Sequence, residues 1–175
     1  MLKLNKYLFK LDNMLRIIIV LIIIILIVIF NLFVIILNSK IEILGKNIIW
    51  LFKKRNNQVV SIYQVSKNYL TKSDEIFKEF FELKRKDFWE NSFNIELKDK
   101  LNTYKKIHNE INFIFKICEQ HKKIYINSKY LYLKDSILDK SEEIWKKLEI
   151  YNKIKKEYDF YKKLSNITII WLFLK

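Results

Sequence analysis

From Ile17 to Leu37 the chain carries no charged residue and one polar residue, Asn31. About 20 apolar residues is the length a helix needs to cross the hydrocarbon core of a bilayer. A buried core helix would keep a polar stripe on the side turned away from the core, and this run is apolar all round. A cleavable signal peptide has an apolar stretch of roughly 7–15 residues and a small-residue exit. The run here is longer, and no such exit follows it. The pattern predicts a retained transmembrane helix over 17–37, preceded by a basic leader, 1–16, that holds Lys3, Lys6, Lys10 and Arg16.

Beyond Leu37 the apolar positions become periodic. Ile41, Leu44, Ile48, Leu51, Ile62, Val65 and Tyr69 recur in steps of three, four and their multiples, the spacing of one helix face. One continuous rod is therefore predicted from the membrane to about Leu70. Thr71 to Asp74 supplies an N-cap, and Asp74 and Glu75 suit the positive end of a new helix. That second helix carries Phe77, Phe80, Phe81 and Phe88 and ends near Asn91 and Ser92. A third is predicted from about Asn94 to His121, with a stripe of Leu97, Leu101, Tyr104, Ile107, Ile111, Ile114 and Cys118. The connection falls over 125–129, with Asn127 and Ser128 as turn and cap. The fourth, from about Lys129 to Asn166, shows Leu133, Ile137, Ile144, Leu148, Tyr151, Tyr158 and Tyr161.

Each stripe covers one face and leaves Lys and Glu on the other. Short connections make neighbouring helices reverse direction, so the prediction is all-α: the transmembrane helix continues into an antiparallel four-helix bundle over 38–166. The first rod, about 30 residues, leads roughly 45 Å away from the membrane. The fourth helix is as long and brings the chain back. An apolar tail, 167–175, then arrives at the bilayer with Trp171 and Phe173. Two readings of that tail stand side by side: an interface anchor with aromatic rings at headgroup level, or a last turn of bundle core. It is too short to span the membrane a second time.

Composition narrows the partners. The net charge of +14 points towards nucleic acid or an anionic membrane surface. However, the chain has no Ala, no Pro and one Gly, and it is rich in Ile, Lys, Asn, Tyr and Phe. That is the amino-acid usage of a very AT-rich genome. Arg, the residue suited to base edges and bidentate phosphate contacts, occurs only at 16, 55 and 85. Nucleic acid is therefore disfavoured as a partner. The single cysteine, Cys118, rules out an intrachain disulfide. The lack of Pro and near-lack of Gly removes the turn chemistry that β-rich folds need.

Several segments resemble the LemA family, membrane-anchored bacterial proteins with an N-terminal transmembrane helix and a helical bundle. Asn127, Tyr130, Leu131, Leu133 and Asp135 are similar to the family's Asn-x-x-Phe-Leu-x-Leu-Gln-Asp entry to its last helix. Tyr151-Asn152 and Glu157-Tyr158-Asp159 resemble its Tyr-Asn and Glu-Tyr-Asn pair, with Asp159 in place of the second Asn. Ile48 and Phe52-Lys53-Lys54-Arg55 resemble its Ile-x-x-x-Leu-Lys-Arg-Arg segment. The chain departs from the family where Asn56-Asn57 follows the basic triplet and where no Pro stands near Val60. The resemblance implies a membrane location and a helical bundle, and it implies no catalytic activity.

The candidate chemistry is sparse. Cys118 and His121 stand at i, i+3, but a zinc site needs three or four ligands, and His108 is ten residues from Cys118. A buried free thiol is expected there, and no metal. No Gly-rich phosphate loop, zinc-protease helix or nucleophile–base order is present. Glu142, Glu143 and Glu157 lie among lysines and read as solvated faces. No catalytic activity and no cofactor are expected. Lys53, Lys54 and Arg55 fall roughly 25 Å along the rod from the bilayer, well beyond the Debye length of about 8 Å. The triplet is therefore the candidate contact for a protein partner, with solvent as the plain alternative. Tyr151, Tyr158 and Tyr161 alternate with lysines, as in single-strand nucleic-acid platforms, but their helical spacing predicts rings in the core. Asn166 to Thr168 fits a glycosylation sequon, meaningful only in a eukaryotic secretory pathway. Asn31 can bond to a second copy in the membrane and so promote a homo-oligomer. Its place near the membrane exit, where polar groups cost little, is the preferred reading.

The sequence thus predicts a single-pass, membrane-anchored helical bundle that serves as a scaffold or interaction module, with the bilayer and a protein as partners. The alternative is a membrane-tethered basic nucleic-acid-binding protein. The leader holds four basic residues, and the stretch 38–57 holds five: Lys40, Lys46, Lys53, Lys54 and Arg55. The positive-inside rule barely separates the two sides. The family resemblance tips the expectation towards a cell-membrane protein with a cytoplasmic bundle.

Overall fold

In the computed structural model the backbone is described for residues 2–89 and 97–173, and side chains for 14–86, 97 and 100–166. Every element among the described residues is a helix: α1 (Leu2–Ser66), α2 (Ser73–Trp89), α3 (Leu97–Gln120), α4 (Lys122–Tyr125) and α5 (Ser128–Phe173). With no Pro to remove a donor and one Gly, nothing in α1 interrupts the backbone ladder over 65 residues. It ends where Ser66 turns its hydroxyl back onto the Tyr63 carbonyl at 3.2 Å, competing with the ladder. The Tyr69 and Leu70 amides both close onto the Ser66 carbonyl at 2.9 Å. This turn buries Leu70 and leaves Tyr69 exposed, so the apolar register expected at Tyr69 passes to its neighbour. Asp74, in the first turn of α2, accepts from Tyr63 Oη at 2.6 Å and ties α2 to the end of α1.

The connection before α5 differs from the expected one. The third helix stops at Gln120, because His121 is extended (φ −95°, ψ 103°) and breaks the ladder. One further turn, α4, follows and carries Ile124 into full burial. Asn127 then caps α5 as expected, its Oδ1 accepting the Tyr130 amide at 3.1 Å. The last helix does not stop at Asn166. It continues as helix to Phe173.

The chain divides into two units, 1–43 with 151–175, and 44–150. In the first, α1 and α5 lie antiparallel. Leu37 and Ile41 pack with Tyr158, and Val34, Tyr151, Ile154 and Tyr161 close around them. Farther along, the Tyr161 ring meets Phe33 edge-on at 5.3 Å and Phe30 at 6.1 Å. Beyond that, Ser165 Oγ donates to Asn31 Oδ1 at 2.7 Å. Descending numbers on α1 pair with ascending numbers on α5. From Met14 to Leu26 the large apolar side chains are all exposed.

In the second unit the predicted stripes become core. Ile48, Leu51, Ile62 and Val65 of α1, Phe77 and Phe80 of α2, Tyr104, Ile107, Ile111, Ile114 and Cys118 of α3, and Leu133, Ile137, Ile144 and Leu148 of α5 are all buried. Each fully buried Ile contributes about 1.5–3 kcal/mol. The Tyr63 ring meets Phe77 and Phe81 edge-on at 5.3 and 5.2 Å, joining α1 to α2. Phe52 stacks on Tyr104 at 3.8 Å, joining α1 to α3. Gln58 Nε2 donates to Ser136 Oγ at 2.8 Å, joining α1 to α5.

Two substitutions test this packing. Asn127→Ala should cost about 1 kcal/mol in denaturant unfolding, and Asn127→Asp should restore most of it. Ile111→Ala should cost about 2–5 kcal/mol, because the site is closed on all sides.

Candidate interaction face and buried arginine

The basic triplet is split by the helix. Residues 53 and 54 face solvent, whereas Arg55 is 1 % exposed. The reason lies in the spacing: Ile48, Phe52, Arg55, Val59 and Ile62 follow steps of four, three, four and three, which is one apolar stripe. Arg55 occupies a core position of that stripe, so it is no part of the outward face expected for all three residues. The signal was present in the sequence, hidden by the charge of the residue.

The guanidinium lies 4.9 Å from the Phe52 ring, and its Nε and Nη2 each reach Asn56 Oδ1 at 3.4 Å. No carboxylate pairs with it among the described residues. Burial pulls its pKa from 12.5 down to about 10, with the nearby Tyr104 acting weakly the other way, so it stays charged at neutral pH. Desolvating a cation without a counter-charge costs several kcal/mol. The cation–π contact offsets part of that cost. On α3, His108 is held below its ordinary pKa by burial and then by Arg55, so its imidazole is neutral. Its ring meets Trp145 edge-on at 5.9 Å, and its Nδ1 has no partner among the described residues.

The outer face of the same stretch of α1 is different in kind. Trp50 is 57 % exposed, and Lys54 Nζ sits 4.8 Å over its ring. Lys46, Lys53 and Lys54 surround it on the exposed side. An exposed indole ringed by lysines offers a large apolar contact with a basic rim, the make-up of an interface anchor. Trp50 escaped the sequence reading because it stands outside every apolar stripe.

The remaining candidates fall out differently. Cys118 is fully buried while His121 is exposed at the break after α3. Among the described residues no three His, Cys, Asp or Glu side chains come together. Tyr158 is buried with Tyr151 and Tyr161 packed against its cluster, so these rings lie in a core. Lys155 and Lys162 reach over the Tyr158 ring from either side along α5, at 5.3 and 5.4 Å. Glu142 and Glu143 pair with Lys146 and Lys147 one turn on, as solvated faces do. A groove of about 750 Å³ on α2 is open to solvent and mixes Glu75, Glu79 and Glu82 with Lys78, Arg85 and Lys86. The side chains of Trp171 and Phe173 lie outside the described residues. No family model, curated protein or solved structure matches this sequence.

Arg55→Met should stabilise the protein by about 1 kcal/mol or more in denaturant unfolding, since it removes an uncompensated buried charge at similar volume. Lys53→Met and Lys54→Met should each stay within about 0.5 kcal/mol. A loss for Arg55→Met would mean that its contact with Phe52 outweighs desolvation. Burial, with Glu119 adding to it, pushes the Cys118 thiol from 9.0 up to about 12. Its contribution to stability is therefore full below pH 9 and is lost as pH rises from 9 to 12. The native thiol should resist iodoacetamide at about pH 8 and react once the chain is unfolded.

Proposed function

We propose that the chain is a single-pass protein of the cell membrane that holds an antiparallel helical bundle in the cytoplasm, acting as a scaffold or interaction module without catalytic activity. The observation that carries this reading is the bare apolar stretch of α1. A soluble fold buries such a helix, whereas here one helix among the described residues is long and apolar enough to cross a membrane and its side chains from Ile17 to Leu26 are exposed. Exposed apolar surface of this extent needs a cover, and lipid supplies it around a helix whose backbone is already satisfied. The residues shared with the LemA pattern support a bundle continuing from the anchor, as do the contacts of α1 with α2, α3 and α5 over 44–150.

The interaction role rests on the face around Trp50. Lys46, Lys53 and Lys54 favour a protein partner with acidic side chains opposite them. Arg55 is inside and takes no part.

Sidedness is tested by labelling intact cells with an impermeant maleimide. In a Cys118→Ala background, single cysteines replace Lys3 and the exposed Lys123. Labelling at position 3 alone is the expected result. Labelling at position 123 alone would overturn the cytoplasmic placement, and release of the protein by alkaline carbonate would overturn anchoring itself.

A further inference from the structure

Resting on the membrane reading above, we infer that the C-terminal part of α5 enters the bilayer beside the α1 span, as a second intramembrane segment that stops short of the far side. The argument is one of depth. The run from Ile17 to Leu37 is about 30 Å long as a helix, which matches the hydrocarbon thickness. Asn38, Ser39 and Lys40 follow it, so Leu37 marks one edge. Asn31 then lies about 9 Å inside that edge. Ser165 is hydrogen-bonded to it at 2.7 Å and shares its depth. From Ser165 the helix runs on to Phe173, about 12 Å farther in the same direction. That places Phe173 about 21 Å from the edge, past the midplane at about 15 Å.

The chemistry along α5 suits this path. No residue from Leu164 to Leu174 is charged. The last cations before that stretch are Lys162 and Lys163. Lys162 Nζ lies over the Tyr158 ring, back along α5 and away from Asn31. A lysine just inside the edge extends its ammonium towards the headgroups in this way. Ser165 is the polar group that must be satisfied at depth, and Asn31 accepts its proton. Asn31 itself donates Nδ2 to the Ile27 carbonyl at 2.9 Å, so both ends of the contact are engaged within one pair of helices. Asn31 thus bonds to α5 through Ser165. On this path the tail lies deeper than an anchor at headgroup level, for which α5 would end near Leu37 on α1.

Depth-dependent fluorescence quenching tests the inference in the full chain. The protein is placed in vesicles whose lipids carry bromine either near the headgroup or deep in the acyl chain. One variant keeps Trp171 and replaces Trp50, Trp89 and Trp145 by Phe. A second also carries Trp171→Phe and has Ile25→Trp on α1, at the depth the α1–α5 register assigns to residue 171. The expected result is stronger loss of emission with deep than with shallow bromine in both variants. Deep quenching of Ile25→Trp with shallow or no quenching of Trp171 would overturn the insertion and leave the α1 anchor standing. Absence of quenching in both would overturn the anchor and this inference with it. Cysteine protection gives an independent measure in the Cys118→Ala background. Leu172→Cys in vesicles should react with impermeant maleimide only after detergent is added, whereas Lys153→Cys, at an exposed position beyond the edge, should react before. Prompt labelling at position 172 would overturn the inference.

Discussion

The structure depends on a backbone that satisfies its own hydrogen bonds without interruption. In hydrocarbon an unpaired amide or carbonyl costs several kcal/mol, so a spanning segment must be helical throughout. In α1 this requirement extends well past the apolar run, because no proline removes a donor before Ser66. One helix therefore carries two kinds of surface in sequence. The first, Ile17 to Leu26, is apolar with its side chains exposed; the second, from Ile41 onward, is a stripe that packs against other helices. The change from all-round to periodic hydrophobicity separates the part whose apolar side chains are exposed from the part that packs against other helices.

Polar groups inside this protein are treated in two ways. Ser165 and Asn31 meet each other, and an Asn31 Nδ2 hydrogen returns to the Ile27 carbonyl of its own helix. On the membrane placement proposed above, such a contact is worth about 0.6–2 kcal/mol, which is enough to set register without dominating stability. Arg55 is the opposite case: its charge is retained at 1 % exposure with a weakly held amide oxygen and an aromatic face as neighbours. Phe52, Tyr104 and His108 lie around it. The same stretch of α1 puts Trp50, Lys53 and Lys54 outside, so one turn of helix separates a structural cation from a surface suited to a partner.

Periodicity made most of the helices and core legible in advance. The stripes at Ile48 to Val65, Tyr104 to Cys118 and Leu133 to Leu148 needed only the helical repeat and the expulsion of apolar surface from water. The cap at Asn127 was legible because its short amide side chain can reach an orphan amide three residues on. The candidate site was legible only in part. Its lysines stood out by charge, but Trp50 breaks no pattern on an exposed face, and Arg55 was counted with the neighbours it resembles in charge and not with the stripe it shares in spacing.

By itself, then, the sequence determined what each segment is: an apolar span over 17–37, helices without strands among the described residues, and which face of each helix is apolar. These are local properties, decided by spacing and by the solvent a side chain prefers. The tertiary structure alone decided how far one helix runs beside another. It brought Ser165 to Asn31, carried α5 on as helix to Phe173 and inserted the turn of α4 that buries Ile124. Register between distant segments depends on which side chains interlock across more than a hundred residues, and no periodicity within either helix encodes that match.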